Sequence, residues 1–239
     1  MTEIKRRTFY SHFGADSTMR RSAMVDFMQD CCTISRNEDA VIGPMMKSGE
    51  ALLYVAYRQV DILSQPKYRE ELTVRTHLFE TRRVYGKRST VILGEDGRLC
   101  ARSYLISTLV SSGSRKPINL PQEVNDSIVL APATDMEYTQ RKIKLPDSPG
   151  EVKPAFTATR AQADTNGHVN NARYIDLGDE FVPTGAEAVR LRCEYKASFM
   201  PGDKIIPTVY PTDTGAVITL SNEAGELCSV MEYIWRNEK

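Results

Sequence analysis

The chain is poor in histidine, has one tryptophan and carries no excess of either charge. Its 239 residues include 31 basic and 31 acidic ones, so the formal net charge is zero and no global field favours nucleic acid or an anionic membrane. No apolar run approaches the roughly 20 residues of a membrane-spanning helix, and no apolar segment follows the basic N-terminus. We therefore expect a cytoplasmic protein that binds no nucleic acid and does not insert into a membrane.

The five cysteines are badly placed for disulfide or metal chemistry. The count of five is odd, and Cys31 and Cys32 are adjacent, which is a poor disulfide framework. No cysteine pair has metal-ligand spacing with a nearby histidine. We expect reduced thiols, as in a cytoplasmic protein, and neither a metal site nor a cofactor.

Two parts of the chain resemble each other across a proline-rich stretch. Six of the twelve prolines fall between residues 117 and 154, which indicates an irregular connection. Before it stands Gly97-Arg-Leu-Cys100, and near the C-terminus stands Gly225-Glu-Leu-Cys228, each leading into a strand-like run. A similarity of this period indicates duplication of a whole fold, not a solenoid.

The beginnings of the two parts also match. Ala-Asp16-Ser-Thr precedes one helix-like run and Ala-Asp164-Thr-Asn precedes the other, with two more residues between aspartate and helix in the second copy. We predict an N-terminal repeat at residues 1–112, a linker at 113–154 and a C-terminal repeat at 155–239.

Each repeat has the same predicted order of elements, a helix followed by about four strands. Apolar residues recur at helical spacing in the first helix, and alternation marks half-buried strands. The predicted strands are 51–63, 71–80, 84–93 and 99–110 in the first repeat, and 188–199, 204–210, 216–221 and 227–236 in the second. The order predicts an α+β fold in which a helix lies on a curved antiparallel sheet, made twice.

The segment that opens the second repeat combines a carboxylate, a carboxamide and one of three histidines. It reads Asp164-Thr-Asn166-Gly-His168-Val169-Asn170. Asp164 or Asn166 is a good helix N-cap candidate, and a helix N-terminus offers free N–H groups to a developing oxyanion. The alternative to a catalytic role is an ordinary turn, because Asp-x-Asn-Gly often forms turns and a lone histidine is more often structural than catalytic.

This motif, together with the duplication, resembles the acyl-acyl carrier protein (acyl-ACP) thioesterases, whose fold is a tandem hotdog. The resemblance covers almost the whole chain. It implies hydrolysis of fatty acyl-ACP to free fatty acid and holo-acyl carrier protein, a reaction of fatty acid biosynthesis. The partner would be an acyl carrier protein whose phosphopantetheine arm holds the acyl group.

Carried over by position, Asp164, Asn166 and His168 match the family's active-site carboxylate, amide and imidazole. Amide N–H groups near Val169 and Asn170 would form the oxyanion site at the helix N-terminus. The chain departs from the family at the position of its usual glutamate, where it has Ser198.

The first helix offers candidates for an acyl pocket, although a plain hydrophobic core explains the same stripe more simply. They are Met24, Phe27, Met28 and Cys31.

Three other functions stay open: an acyl-coenzyme A thioesterase, a non-catalytic acyl-binding hotdog protein, and a dehydratase. The dehydratase is disfavoured, because its histidine and acid would sit in different halves. The first half offers no obvious partner, since His12 lies before the helix and His77 within a strand. A homodimer is compatible with the sequence.

Overall fold

The computed structural model describes residues 1–236 and divides into two compact units, one of Met1–Tyr138 and one from Thr139 onward. The division falls inside the segment expected to be a linker. In the described part of the chain, no helix is long and apolar enough to cross a membrane.

The first unit is a five-stranded antiparallel sheet with one long helix against it. The strand order is β1-β3-β4-β5-β2, and the long helix packs on β1, β3 and β4. The strands are β1 (Thr2–Arg7), β2 (Ala51–Ile62), β3 (Glu71–Arg82), β4 (Tyr85–Leu93) and β5 (Leu99–Ser111). The helices are α1 (Arg21–Glu38), α2 (Ile42–Lys47) and α3 (Gln122–Asp126).

The alternation of buried and partly buried residues along β3 shows which face of this sheet meets α1. Leu72, Val74 and Thr76 are buried while the residues between them are only partly so. On the helix, Met24 and Met28 are fully buried against that face. The core of this unit is therefore the layer between α1 and the sheet.

The second unit repeats the design with a shorter helix. Its strand order is β8-β11-β10-β9-β6, with β7 also paired to β9. The elements are β6 (Glu151–Val152), β7 (Phe156–Thr157), α4 (Asn171–Asp179), β8 (Ala188–Tyr195), β9 (Lys204–Thr212), β10 (Gly215–Ser221) and β11 (Leu227–Trp235). Helix α4 approaches β11 closely at Gly178, where a Cβ would lie 2.5 Å from the Tyr233 hydroxyl.

The predicted α+β class and the helix-on-antiparallel-sheet design of both repeats are confirmed. One strand end was predicted wrongly, and three strands, β1, β6 and β7, were not predicted. Strand β8 ends at Tyr195 instead of 199, because the N–H groups of Lys196 and Ala197 both donate to the Cys228 carbonyl and the ladder stops there. Strand β1 was missed, since its exposed charged residues hide its pairing with β3.

The matching of Asp16 with Asp164 was also wrong. A 3-10 turn precedes each helix, at Tyr10–His12 and at Arg160–Gln162, and the two turns start 150 residues apart. The helices begin at Arg21 and Asn171, also 150 residues apart, so neither copy has an insertion. On this correspondence Asp16 matches Asn166, and position 164 corresponds to a glycine in the first repeat.

Candidate active site

The motif forms a tight loop immediately before α4. The Asp164 N–H donates to the His168 carbonyl at 2.8 Å, and the Gly167 N–H donates back to the Asp164 carbonyl at 2.9 Å. Gly167 has φ +79°, a left-handed conformation that glycine adopts without strain. The loop therefore holds the backbones of Asp164 and His168 side by side.

The Asp164 carboxylate has a structural role in this loop. Its Oδ1 accepts the Asn166 N–H at 2.8 Å, which is the local turn that such a sequence favours. The expectation that Asp164 or Asn166 caps the helix was wrong, because Asn170 is the N-cap and its Oδ1 accepts the Ala172 N–H at 2.8 Å. Asp164 and His168 are half-buried and Asn166 is exposed, so all three side chains are accessible.

The two amides expected to bind an oxyanion are already engaged. The Val169 N–H donates to the Phe199 carbonyl at 2.9 Å, and the Asn170 N–H donates to the Gln162 carbonyl at 2.8 Å. Neither N–H is a free donor, because each makes a backbone hydrogen bond in the extended segment before the helix.

The next amide along the chain, that of Asn171, is the first in α4. It has no acceptor among residues 1–236. It is the one that a substrate oxygen could use, since the first amides of a helix have no intrahelical acceptor. The sequence could have indicated it only with the N-cap correctly placed at Asn170.

Position 198 lies in a segment that packs on the motif loop. On either side of Ser198, the Ala197 carbonyl accepts from the Tyr174 hydroxyl at 3.3 Å and the Phe199 N–H donates to that hydroxyl at 2.9 Å. The Phe199 carbonyl holds the motif loop through Val169. Ser198 itself is exposed, so it stands beside the loop with its hydroxyl open to solvent.

Burial raises the pKa of Tyr174, which keeps the phenol neutral and able to act both as donor and as acceptor. Its ring stacks on Phe199 and meets Tyr195 edge-on. Tyr174 therefore fixes the segment around position 198 to the helix that follows the motif.

Glu194 is the acidic residue nearest to Ser198 in the sequence, and its carboxylate is already engaged. It is buried at the end of β8, where its Oε1 lies 3.3 Å from the Lys196 ammonium and its Oε2 accepts the Ile143 N–H at 3.4 Å. Each of the two carboxylate oxygens therefore has a partner outside residues 197–199, the segment around position 198.

The four acyl-pocket candidates all lie on the buried side of α1. Met24, Phe27, Met28 and Cys31 pack there as core, and the Cys31 thiol donates to the Val74 carbonyl at 3.4 Å. Burial raises the pKa of this thiol to about 12, so it is not a nucleophile. That these residues line an acyl pocket stays a prediction. Within residues 1–236, no group of three or more metal-ligating side chains is assembled.

A helix on an antiparallel sheet, made twice, with a carboxylate, an amide and an imidazole before the second helix, defines a tandem hotdog protein of the thioesterase class. The family model of the acyl-ACP thioesterase N-terminal domain matches residues 4–128, more than half of the chain. The chain therefore belongs to the acyl-ACP thioesterase family and is a thioester hydrolase. The matched region ends before the motif loop.

Solved structures share this fold over nearly the whole chain. An acyl-ACP thioesterase from Bacteroides thetaiotaomicron matches with a TM-score of 0.84 at 15% identity, covering 98% of this chain and 97% of that one. The 12:0-ACP thioesterase from Umbellularia californica matches with a TM-score of 0.80 at 17% identity, covering 99% and 98%. A structure described as an oleoyl thioesterase (putative) from Lactobacillus plantarum matches with a TM-score of 0.83 at 16% identity. The match covers 100% of this chain and 96% of that one. No curated protein matches the sequence.

Proposed function

We propose that this protein hydrolyses fatty acyl-ACP with Asp164, Asn166 and His168 as its catalytic residues. The observation that carries the proposal is the loop before α4. This loop holds the backbones of Asp164 and His168 side by side and leaves the side chains of Asp164, Asn166 and His168 accessible. The fatty acyl chain arrives as a thioester on the phosphopantetheine arm of acyl carrier protein. The products are free fatty acid and the holo-carrier.

The reaction needs a base for water and a donor for the carbonyl oxygen. Asp164 takes a proton from water as the water oxygen attacks the carbonyl carbon, and the carbonyl electron pair moves onto oxygen. The Asn171 N–H, which has no acceptor among residues 1–236, stabilises this oxyanion, and such a donor contributes roughly 3 kcal/mol. The carbon–sulfur bond then breaks, and the departing thiolate receives the proton.

His168 and Asn166 position the substrate. The imidazole and the carboxamide lie on the same loop as the base and can hydrogen-bond the thioester carbonyl or the attacking water. Asp164 already accepts the Asn166 N–H through Oδ1, so its Oδ2 is the atom available for proton transfer. Ser198, beside the loop, contributes at most a hydrogen bond to water.

The lack of an acid at position 198 leaves general-base catalysis to the motif loop alone. General acid–base groups contribute factors of roughly 10² to 10⁴, so we expect slower turnover than with a second acid present. A cytoplasmic location, where carrier-protein chemistry and thiols coexist, is supported by five free cysteines, four of them buried.

The test is thiol release from acyl-ACP esters of C8 to C18 chains, with the matching acyl-coenzyme A esters alongside. We expect a higher kcat/KM on the carrier-protein esters than on coenzyme A esters of the same acyl chain. The opposite preference would replace the proposal with an acyl-coenzyme A thioesterase. Acyl binding without thiol release from either carrier would make the protein an acyl-binding hotdog protein.

A further inference from the structure

The first unit contains a buried arginine on the face of the sheet that meets α1. Arg58 lies in β2, is 1% exposed and is register-paired with Leu105 of β5. Its Nη1 lies 3.9 Å from the Met28 sulfur of α1, so the side chain enters the helix–sheet layer. The side chain brings a full positive charge into this layer.

Two nitrogen atoms of this guanidinium have no hydrogen-bond acceptor. Neither Nε nor Nη2 finds one among residues 1–236, although both are shielded from solvent. Nε and Nη2 lie on the same edge of the guanidinium plane, while Nη1 faces the methionine sulfur. The open edge is therefore a two-donor fork, the arrangement that matches the two oxygens of a carboxylate.

A third polar atom without a partner in the described chain lies on the same face of the sheet. Ser103 is 1% exposed, and its hydroxyl has no partner in the described chain. It is two residues from Leu105 on β5, so it shares the face and neighbours Arg58 diagonally across the strand pair. Next to it, Thr90 hydrogen-bonds to Thr76 at 2.9 Å, so the adjacent hydroxyls are already satisfied.

The opposite face of the same strands shows how this fold pairs a partly buried cation. Arg102 donates to the Asp61 carboxylate at 3.2 Å and to the Asp135 carbonyl at 2.6 Å. Among residues 1–236, no such carboxylate pairs with Arg58, yet it is more deeply buried. An uncompensated buried charge is strongly unfavourable, so Arg58 and Ser103 together point to an anion supplied from outside the chain.

We propose that Arg58 and Ser103 bind the carboxylate of a fatty chain inside the first unit. The surroundings suit an alkyl chain, because Met28, Val60 and Leu105 are buried around the fork and methionine adapts to irregular shapes. The carboxylate accepts from Nε and Nη2 of Arg58, and the Ser103 hydroxyl donates to one of its oxygens. The proposal goes beyond hydrolysis and depends on the proposed function only for the source of the ligand.

Two sources share this chemistry. One is the free fatty acid that the proposed reaction releases, which would then occupy the first unit as product. The other is an acyl substrate whose far end carries a second carboxylate.

The primary experiment is calorimetric titration with dodecanoate and with dodecanol, without any thioester. We expect dodecanoate to bind the native protein and to bind Arg58→Leu at least about 30-fold more weakly, as for loss of a buried, hydrogen-bonded charge. Arg58→Lys keeps the charge but not the two-donor fork, so its affinity for dodecanoate should lie between those of the native protein and Arg58→Leu. Arg75→Leu, on the other face of β3 and paired with exposed Glu3, is the control and should bind normally.

Stability separates a ligand site from a structural arginine. Without ligand, Arg58→Leu should unfold at the same temperature as the native protein or higher, because it removes an unpaired buried charge. Ser103→Ala, a smaller change, should weaken dodecanoate binding several-fold and keep the fold. Equal affinity for dodecanoate and dodecanol, or unchanged dodecanoate affinity in Arg58→Leu and Ser103→Ala, would overturn the proposal.

Turnover distinguishes the two sources. Selective loss of hydrolysis of a carboxyl-ended acyl thioester in Arg58→Leu identifies the substrate's far end as the ligand. Inhibition by dodecanoate in the native protein but not in the variant identifies the product. A protein that binds dodecanoate through Arg58 but hydrolyses no thioester would refute the proposed function and leave this inference standing.

Discussion

The Tyr174 hydroxyl accepts the backbone N–H of Phe199 at 2.9 Å, and this bond joins α4 to the segment that contains position 198. Both residues are buried, so no water can replace the phenol. The Phe199 carbonyl in turn accepts from Val169 in the motif loop. The catalytic loop, the helix after it and the segment beside it are thus one hydrogen-bonded unit.

Tyr174→Phe should therefore destabilise the protein and reduce activity together. The change leaves the Phe199 N–H buried without an acceptor, which costs about 1–3 kcal/mol. Urea unfolding gives the free energy, and thiol release gives kcat. Tyr138→Phe is the control, because it removes a hydroxyl that donates to the Thr134 carbonyl in an exposed setting. It should change neither the free energy of unfolding nor kcat. A stable but slow Tyr174→Phe would mean that the hydroxyl acts in the chemistry.

Asp164→Asn should abolish most turnover without unfolding the protein. The asparagine oxygen can still accept the Asn166 N–H, so the turn survives while the base is lost. We expect kcat to fall by roughly 10² to 10⁴ and the melting temperature to change little.

The first repeat supplies a matched control for that substitution. Asp16 accepts the Thr18 N–H at 2.9 Å in the corresponding loop, so the same turn exists there without the histidine. Asp16→Asn should leave kcat unchanged. Equal activity of Asp164→Asn and the native protein would remove Asp164 from the mechanism.

Ser198→Glu should raise kcat by about tenfold or more on the same acyl-ACP ester, because a second acid would stand beside the loop. The position is exposed, so the longer side chain meets no steric cost. Ser198→Gln has nearly the same size without the charge and should not be faster than the native protein. If the glutamate and glutamine variants hydrolyse the ester equally fast, position 198 does not face the reacting water.

Most of the fold could be predicted from sequence, because the alternation of apolar and polar residues that marks a strand lies within a few neighbouring positions. Leu72, Val74, Thr76 and Leu78 are every second residue of β3, and the structure buries the face that they share. The end of β8 could not be predicted, since it is set by the Cys228 carbonyl on a strand far along the chain.

The motif loop was predictable in composition but not in geometry. Asp16 and Asp164 each accept an N–H two residues ahead, so the same device occurs at different positions of the two loops. Matching residue identities therefore misaligned the repeats by two. Arg58 was invisible for another reason: only the packed structure reveals that two of its nitrogens have no acceptor among residues 1–236.

Glu70 should make the stability of the first unit depend on pH. Its side chain is 5% exposed, and its carboxylate accepts from Arg98 Nη2 at 2.7 Å and from the Lys67 N–H at 2.7 Å. The Arg98 guanidinium, followed by the N–H groups of Lys67 and Glu95, holds the pKa of Glu70 below its ordinary value of 4.5.

A carboxyl whose pKa is lower in the folded state stabilises the protein above its unfolded-state pKa. That stabilisation is complete at pH 7 and is lost as the pH falls from about 4.5 through the lower folded-state value. Glu70→Gln should thus cost about 2 kcal/mol at neutral pH, since it removes hydrogen bonds to a charged group. The difference from the native protein should shrink in urea titrations near pH 3.

Glu71→Gln tests whether any loss of a carboxylate at this edge has the same effect. Glu71 pairs with Lys5 at 3.1 Å in a setting where the glutamate is 38% exposed and the lysine 65%. Exposed pairs contribute little, so this variant should unfold within about 0.5 kcal/mol of the native protein at either pH. A pH dependence that is equal in both variants would mean that the Glu70–Arg98 pair is not its source.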